Sequence, residues 1–259
     1  MFRAGVTIEG IFFVISAFAT LFMVFRSRMG KELPKIRDIP AIKGLEEGVD
    51  RCVEMNLPVH QEQSLMIFGM NAGSYLAGLM IGKYIAKLCA RKGAKLIVHM
   101  GVMGETKAFI EETMREAYIE EGKEEDFPKD LVLYHGNKSE VQHASIAKTL
   151  SETGCGMYWS THTDSAIVIT LEEAKRIGAV MCGGSGQWSG GPNAPYAILM
   201  DHLFITEDIY AAGAFLSGNR DMISSIAGED YIKFTSLAII VFALVISVLG
   251  YSFSKFLMI

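Results

Sequence analysis

The sequence lacks the residue spacings of the common zinc and disulfide sites. Its four cysteines are scattered without a CxxC pair, and no HExxH occurs. Scattered cysteines are typical of reduced thiols, whereas disulfide frameworks and zinc sites need regular spacing. We therefore expect reduced thiols in a cytoplasmic domain.

The short motifs of the best-known nucleotide and acyl-transfer sites are also missing. Neither GxxxxGK[ST] nor GxSxG occurs in the chain. Gly184 and Gly186 begin a GxGxxG pattern, but Ser189 stands at the position of its third glycine, and Pro192 follows closely. A phosphate loop, a dinucleotide fingerprint and a serine-hydrolase elbow are therefore not supported.

Basic residues form no stripe outside one short segment near the N-terminus. The chain has 24 Lys and Arg against 29 Asp and Glu, for a formal net charge of −5. Binding to nucleic acid needs clustered positive charge, because the phosphates dominate the affinity. We expect no nucleic-acid partner.

Two long apolar runs are present, one near each end of the chain. As helices, Ala4–Phe25 and Phe234–Phe253 would each be about 30 Å long at ~1.5 Å per residue, enough to cross a bilayer. We therefore expect transmembrane helices at residues 4–25 and 234–253. Glu9 lies inside the first run, where it is either a functional membrane-embedded carboxylate or a headgroup-level residue near a frayed helix end.

The Lys and Arg residues beside these runs predict the orientation of the chain in the membrane. Seven of them flank the inner ends of the runs and two flank the outer ends. This pattern places residues 40–228 in the cytoplasm at the cell membrane, with residues 26–39 as a basic linker and both termini outside. The inner set is Arg26, Arg28, Lys31, Lys35, Arg37, Arg220 and Lys233, and the outer set is Arg3 and Lys255.

Residues 40–228 alternate short apolar strands with longer helical segments. Such a pattern predicts βαβ units in a mostly parallel sheet with helices on both faces. The expected fold class is therefore α/β, a Rossmann-like domain flanked by an N-terminal and a C-terminal transmembrane helix. Predicted strands include Lys95–Met100, Leu131–His135, Gly156–Ser160, Ala179–Cys182 and Tyr196–Phe204.

Polar side chains, histidines above all, recur at or beside the carboxyl ends of the predicted strands. Because those ends share one edge of a parallel sheet, the residues would together form a site for a divalent metal or an acid/base pair. The alternative is that strand ends are polar transitions where such residues are common, so we assign no metal and name no cofactor. The set is His60, His99, His135 and His162, with Asn137 and Asp164.

The remaining two histidines are expected outside this group. His143 is predicted to lie at the surface and His202 in the core.

A glycine-rich loop, predicted from Gly183 to Pro192, is the second candidate site. Backbone N–H groups of such a turn bind phosphate when they follow a strand. The alternative is a mobile loop in which Trp188 contacts a neighbouring subunit. The residues proposed at the ligand edge are Gly183, Gly184, Ser185 and Gly186.

The order of segments resembles the DUF6754 family of prokaryotic membrane proteins. The likeness covers nearly the whole chain and is most specific in LPKIRDIPAIKGLEEGVDRCVEMNLPV and DHLFITEDIYAAGAFLSGN, with GEDYIKF before the closing apolar run. The resemblance implies a membrane protein, and it implies no activity and no catalytic residues.

Two functions fit these observations. The first is a membrane-tethered interaction or assembly module that contacts the lipid bilayer through its two helices and forms a homo-oligomer or joins other membrane-protein subunits. The second is a domain that binds a small molecule, a nucleotide or a metal, with or without catalysis, at the carboxyl edge of its sheet.

Overall fold

The computed structural model divides the chain into two compact units, one of residues 37–217 and one of residues 1–36 with 218–259. The structure describes residues 4–32, 35, 38–63, 72–101, 103–161, 166–185, 197–205, 207–224 and 226. The predicted second membrane helix, 234–253, lies outside these residues, as do His162, Asp164, Gly186 and Trp188.

The larger unit is built around six parallel strands in the order β3-β2-β1-β4-β5-β6. The strands are β1 (Val59–Glu62), β2 (Leu96–Met100), β3 (Val132–Tyr134), β4 (Met157–Ser160), β5 (Val180–Ser185) and β6 (His202–Ile205). A parallel sheet in this order is that of a Rossmann-like fold, which confirms the predicted α/β class.

Six helices of the larger unit accompany the sheet: α2 (Ala41–Met55), α3 (Ala72–Lys92), α4 (Lys107–Glu120), α5 (Ser139–Thr153), α6 (Ile167–Arg176) and α7 (Glu207–Ser217), with short 3-10 turns at Gly104–Thr106 and Glu124–Asp126. Helix α1 (Ala4–Arg28) belongs to the smaller unit. Helix α3 contacts α2, α4 and α7, whereas α5 and α6 contact each other.

The two faces of the sheet are covered by different helices. Ile146 and Leu150 of α5 and Leu171 of α6 form a buried apolar cluster with Tyr158 and Met181 of the sheet. On the opposite face, Gln61 of β1 contacts Met114 of α4. The central strands β1, β2 and β4 are buried along their whole length, as expected for strands covered on both faces.

The cysteines are free thiols, as predicted. Cys52, Cys89, Cys155 and Cys182 are all buried. Burial raises the pKa of Cys52 to about 12, which keeps this thiol protonated and unreactive at neutral pH.

Strands β5 and β6 differ from their predicted bounds. Gly183, Gly184 and Ser185 belong to β5, so the prediction that a loop begins at Gly183 is wrong. A Cβ at Gly183 would lie 2.3 Å from the Ser160 carbonyl oxygen, and one at Gly184 would lie 2.0 Å from that of Phe204. The glycines therefore permit close approach of neighbouring strands.

The last strand begins at His202, six residues later than predicted. The Asp201 carboxylate accepts a hydrogen bond of 2.9 Å from the backbone N–H of Met181, and the Asp201 N–H donates to the Met181 carbonyl. These bonds hold Asp201 against β5 immediately before β6 begins. His202 is half-buried against α2, where a side chain on Gly44 would collide with its ring.

Helix α1 covers the first predicted membrane segment, and Glu9 lies within it. Across the described part of the chain, no helix is both long enough and apolar enough to cross a membrane.

Candidate functional site

The strand order reverses between β1 and β4, at the centre of the sheet. β1 pairs with β2 on one side and with β4 on the other. In open parallel sheets, ligands bind beyond the carboxyl ends of the strands at this kind of reversal. The side chains at the carboxyl ends of β1 and β4 are therefore the first to consider.

Glu62, the last residue of β1, is buried with 1% of its surface exposed. Its carboxylate accepts hydrogen bonds of 2.5 Å from Gln142 Nε2, 2.6 Å from the Tyr158 hydroxyl and 2.9 Å from the Ser160 hydroxyl. We call Glu62, Gln142, Tyr158 and Ser160 the carboxylate cluster. A buried carboxylate requires such donors, since burial without hydrogen bonds is costly.

The tyrosine of the cluster is held in its protonated form. Burial, followed by the charge of Glu62, raises the pKa of Tyr158 well above its ordinary value. The hydroxyl therefore acts as a donor to the carboxylate at neutral pH.

A glycine on β2's carboxyl side makes room for the cluster. A Cβ at Gly101 would lie 1.6 Å from Gln142 Oε1, so any side chain there would displace the Gln142 amide. Among the described residues, Gln142 Oε1 has no hydrogen-bond partner. The amide is therefore positioned by its one strong bond to Glu62 and by the space that Gly101 leaves.

His143, predicted at the surface, is fully buried, so that prediction is wrong. Its Nδ1 lies 3.1 Å from the Thr170 hydroxyl of α6 and 3.7 Å from Glu62 Oε1. The reason is that α5 turns this residue toward the sheet and α6, beside Gln142.

A second polar cluster runs beneath α5 on the same face of the sheet. His60 Nδ1 lies 2.8 Å from His99 Nε2, and His99 Nδ1 lies 2.8 Å from His135 Nε2. At one end, His135 Nδ1 lies 2.7 Å from the Ser145 hydroxyl; at the other, His60 Nε2 lies 2.9 Å from the Gly154 carbonyl oxygen. We call His60, His99 and His135 the histidine row.

The three rings of the histidine row are neutral. The pKa of His60 is lowered to about 4, mainly by burial; the hydrogen bond to the Gly154 carbonyl opposes this shift, and the nearby charge of Lys95 contributes to it. Burial, then the neighbouring histidines, lowers the pKa of His99 well below 6.5. Burial also lowers the pKa of His135, although Glu62 opposes this shift. Neutral rings donate from one nitrogen and accept at the other.

The prediction that the histidines mark strand ends is correct for only part of the row. His99 lies one residue before the end of β2 and His135 directly follows β3, but His60 is the second residue of β1. The register pairs His60 with Ile97 and His99 with Leu133, so the row crosses the sheet diagonally.

Of the other predicted residues, those that the structure describes are not brought together with the row. Asn137 is exposed and accepts a hydrogen bond from the Tyr134 hydroxyl. Within the described residues, no group of three or more His, Cys, Asp or Glu side chains is arranged to hold a metal ion.

Glu62, Gln142 and Tyr158 were not predicted from the sequence as site residues. A signal was available at the first of them, because residues 60–63 read HQEQ, with the first three in β1 and Gln63 directly after it. Four consecutive polar residues in and directly after a fully covered strand are unusual, and each one requires a buried partner.

Searches among curated proteins and among solved structures found no match to the chain. The family described as a domain of unknown function (DUF6754) matches residues 1–258. The match spans essentially the whole chain and confirms the resemblance seen in the sequence. The chain therefore belongs to the DUF6754 family.

Proposed function

We propose that the protein is a membrane-tethered α/β domain that binds a small polar ligand at the carboxyl edge of its sheet. The observation that carries the proposal is the carboxylate cluster at the strand-order reversal. Glu62 ends β1 and Ser160 ends β4, and their 2.9 Å hydrogen bond joins the two strands at the reversal of the strand order.

The cluster supplies a rigid, polar floor for such a crevice. Ser160 and Glu62 are each 1% exposed, and Tyr158 is fully buried behind them. Ligand sites are typically largely pre-formed, with a few fixed polar groups that orient the ligand. Nucleotides are the first ligand class to test, because sheets of this strand order bind them at the reversal.

Binding of ATP, NAD⁺ or S-adenosylmethionine to the full-length protein in mild detergent tests the proposal. At least one of these probes is expected to raise the melting temperature and to bind about tenfold more weakly to Ser160→Ala, which loosens the crevice floor. Ser151→Ala is the matched control, because Ser151 is exposed and bonds Glu173 instead. If none of the probes shifts the melting temperature, a nucleotide site at this edge is rejected.

The proposal that the domain is tethered to a membrane is supported by a separate observation, the exposed apolar surface of α1. Val14, Phe18, Leu21 and Phe22 are 56–72% exposed, and Phe25 is 63% exposed just before Arg26 and Arg28. An apolar helix surface of this kind is unfavourable in water, and a bilayer would cover it. A subunit of a larger membrane assembly would use the same tether.

Quenching of tryptophan by lipids brominated on their acyl chains tests the tether. In vesicles of such lipids, Phe18→Trp is expected to lose most of its added fluorescence, because bromine quenches only at short range. Phe109→Trp is the control, since Phe109 is 53% exposed on the α/β unit. Equal quenching of the two added tryptophans would contradict the placement of α1 in the bilayer.

A further inference from the structure

The donors and acceptors of the histidine row follow from one fixed group, the Gly154 carbonyl. A carbonyl oxygen only accepts, so His60 Nε2, 2.9 Å away, must carry a proton. A neutral His60 then accepts at Nδ1 from His99 Nε2–H. By the same logic, His99 Nδ1 accepts from His135 Nε2–H.

The last group in this row of hydrogen bonds is the Ser145 hydroxyl. His135 Nδ1 carries no proton, so it accepts from Ser145 Oγ, 2.7 Å away. Every ring is therefore the Nε2–H tautomer, and all the hydrogen bonds from Ser145 to Gly154 point in one direction. Histidine acts as a proton shuttle in proteins, and a row of hydrogen bonds with one direction connects the rings for such a transfer.

Both ends of the row reach toward solvent, while its centre does not. His60 and His99 are fully buried, whereas Ser145 and His135 are half-buried. At the other end, exposed Thr153 places its Oγ1 3.2 Å from His60 Nε2. Because α5 connects the carboxyl end of β3 to the amino end of β4, these two ends lie near opposite edges of the sheet.

We propose that the histidine row is a proton relay between Ser145, at the carboxyl edge of the sheet, and Thr153, at the amino edge. It differs from the proposed ligand site in its partners, because its hydrogen bonds run from Ser145 through the three rings to Gly154.

The transfer balances without any other reactant than water. A proton arrives through the Ser145 hydroxyl at His135 Nδ1, and His135 Nε2 releases its own proton to His99 Nδ1. His99 Nε2 then protonates His60 Nδ1, and His60 Nε2 protonates Thr153 Oγ1, whose hydroxyl proton passes to water. One proton enters and one leaves, and each ring ends as the Nδ1–H tautomer. The reverse passage restores the starting state.

The relay is tested by measuring the exchange of histidine ring protons with solvent. The measurement uses NMR of the full-length protein in detergent, with its histidines labelled with ¹⁵N. All three rings are expected as neutral Nε2–H tautomers at pH 7.5. The ring proton of His99 is expected to exchange at least tenfold faster than the backbone N–H of His99, because the relay replaces it without opening of the sheet. Exchange of both protons at one common rate would overturn the proposal, as would an Nδ1–H tautomer as the main form of any ring at pH 7.5.

Variants of Ser145, at one end of the histidine row, distinguish a proton relay from a purely structural role of the row. Ser145→Ala is expected to slow ring-proton exchange of His99 at least tenfold. Ser145→Thr keeps a hydroxyl and is expected to retain the original rate, so it tests the relay even if Ser145→Ala folds poorly. Thr149→Val on the same helix is the control, because the Thr149 hydroxyl donates to the Ser145 carbonyl. Unchanged exchange in Ser145→Ala would refute the relay.

Discussion

Lowering the pH from 6.5 to 4 is expected to reduce the free energy of unfolding by about 3 kcal/mol through His60 alone. Burial lowers the pKa of His60 from 6.5 to about 4, so within this range the unfolded chain binds a proton that the folded chain does not. The unfolded state is therefore favoured as the pH falls. The effect is absent above pH 6.5 and reaches its limit below pH 4.

Urea unfolding of the wild-type protein and of His60→Gln at pH 7 and pH 4.5 measures this contribution. The variant is expected to lose less stability between the two pH values than the wild type. It keeps some dependence, because the pKa values of His99 and His135 are also lowered. Parallel pH profiles for the wild type and His60→Gln would show that His60 is not held neutral.

Replacing Glu62 with leucine is expected to destabilise the folded protein by about 4 kcal/mol. The substitution leaves the Gln142 amide, the Tyr158 hydroxyl and the Ser160 hydroxyl without their acceptor inside the protein. Each of these groups is buried, so water does not replace the lost carboxylate without local opening.

Glu62→Gln is expected to cost less, about 2 kcal/mol, because the amide keeps one acceptor and the Gln142 side chain can rotate to present its own oxygen. Glu112→Gln, on the exposed side of α4, is the control and is expected to change stability by less than about 0.5 kcal/mol. Chemical denaturation followed by far-UV circular dichroism measures all three variants. A Glu62→Leu protein as stable as the wild type would mean that the carboxylate cluster does not stabilise the fold.

The fold was predictable from the sequence where one local pattern decides an element. Strands β2 and β4 each begin one residue later than predicted and end at the predicted residue. These segments have a clear apolar period and clear stop signals, so local preference and tertiary packing agree.

Prediction failed where contacts with a neighbouring strand decide the structure. The apolar run before β6 is typical of a strand, but the strand begins only after Asp201 has bonded to Met181, 20 residues earlier. Likewise, Gly183 and Gly184 are typical of a loop, and they lie in β5 because the backbones of adjacent strands approach them closely.

The candidate site was only half predictable for the same reason. Histidines near strand ends indicated His99 and His135, since chain order alone places them on one side of the sheet. The partners of Glu62 lie 80, 96 and 98 residues further along the chain, so only the folded structure brings them together. A single glutamate in a strand does not reveal which distant donors will surround it.

Helix α5 supplies partners to both polar clusters from one rigid element. Gln142 holds the carboxylate, while Ser145 and Thr153 lie at the two ends of the histidine row. A shift of α5 along its axis by a single residue, about 1.5 Å, would break these contacts together. Movement of α5 would therefore remove the hydrogen bond from Gln142 to the Glu62 carboxylate and interrupt the histidine row in the same step. The helix couples the two polar clusters mechanically.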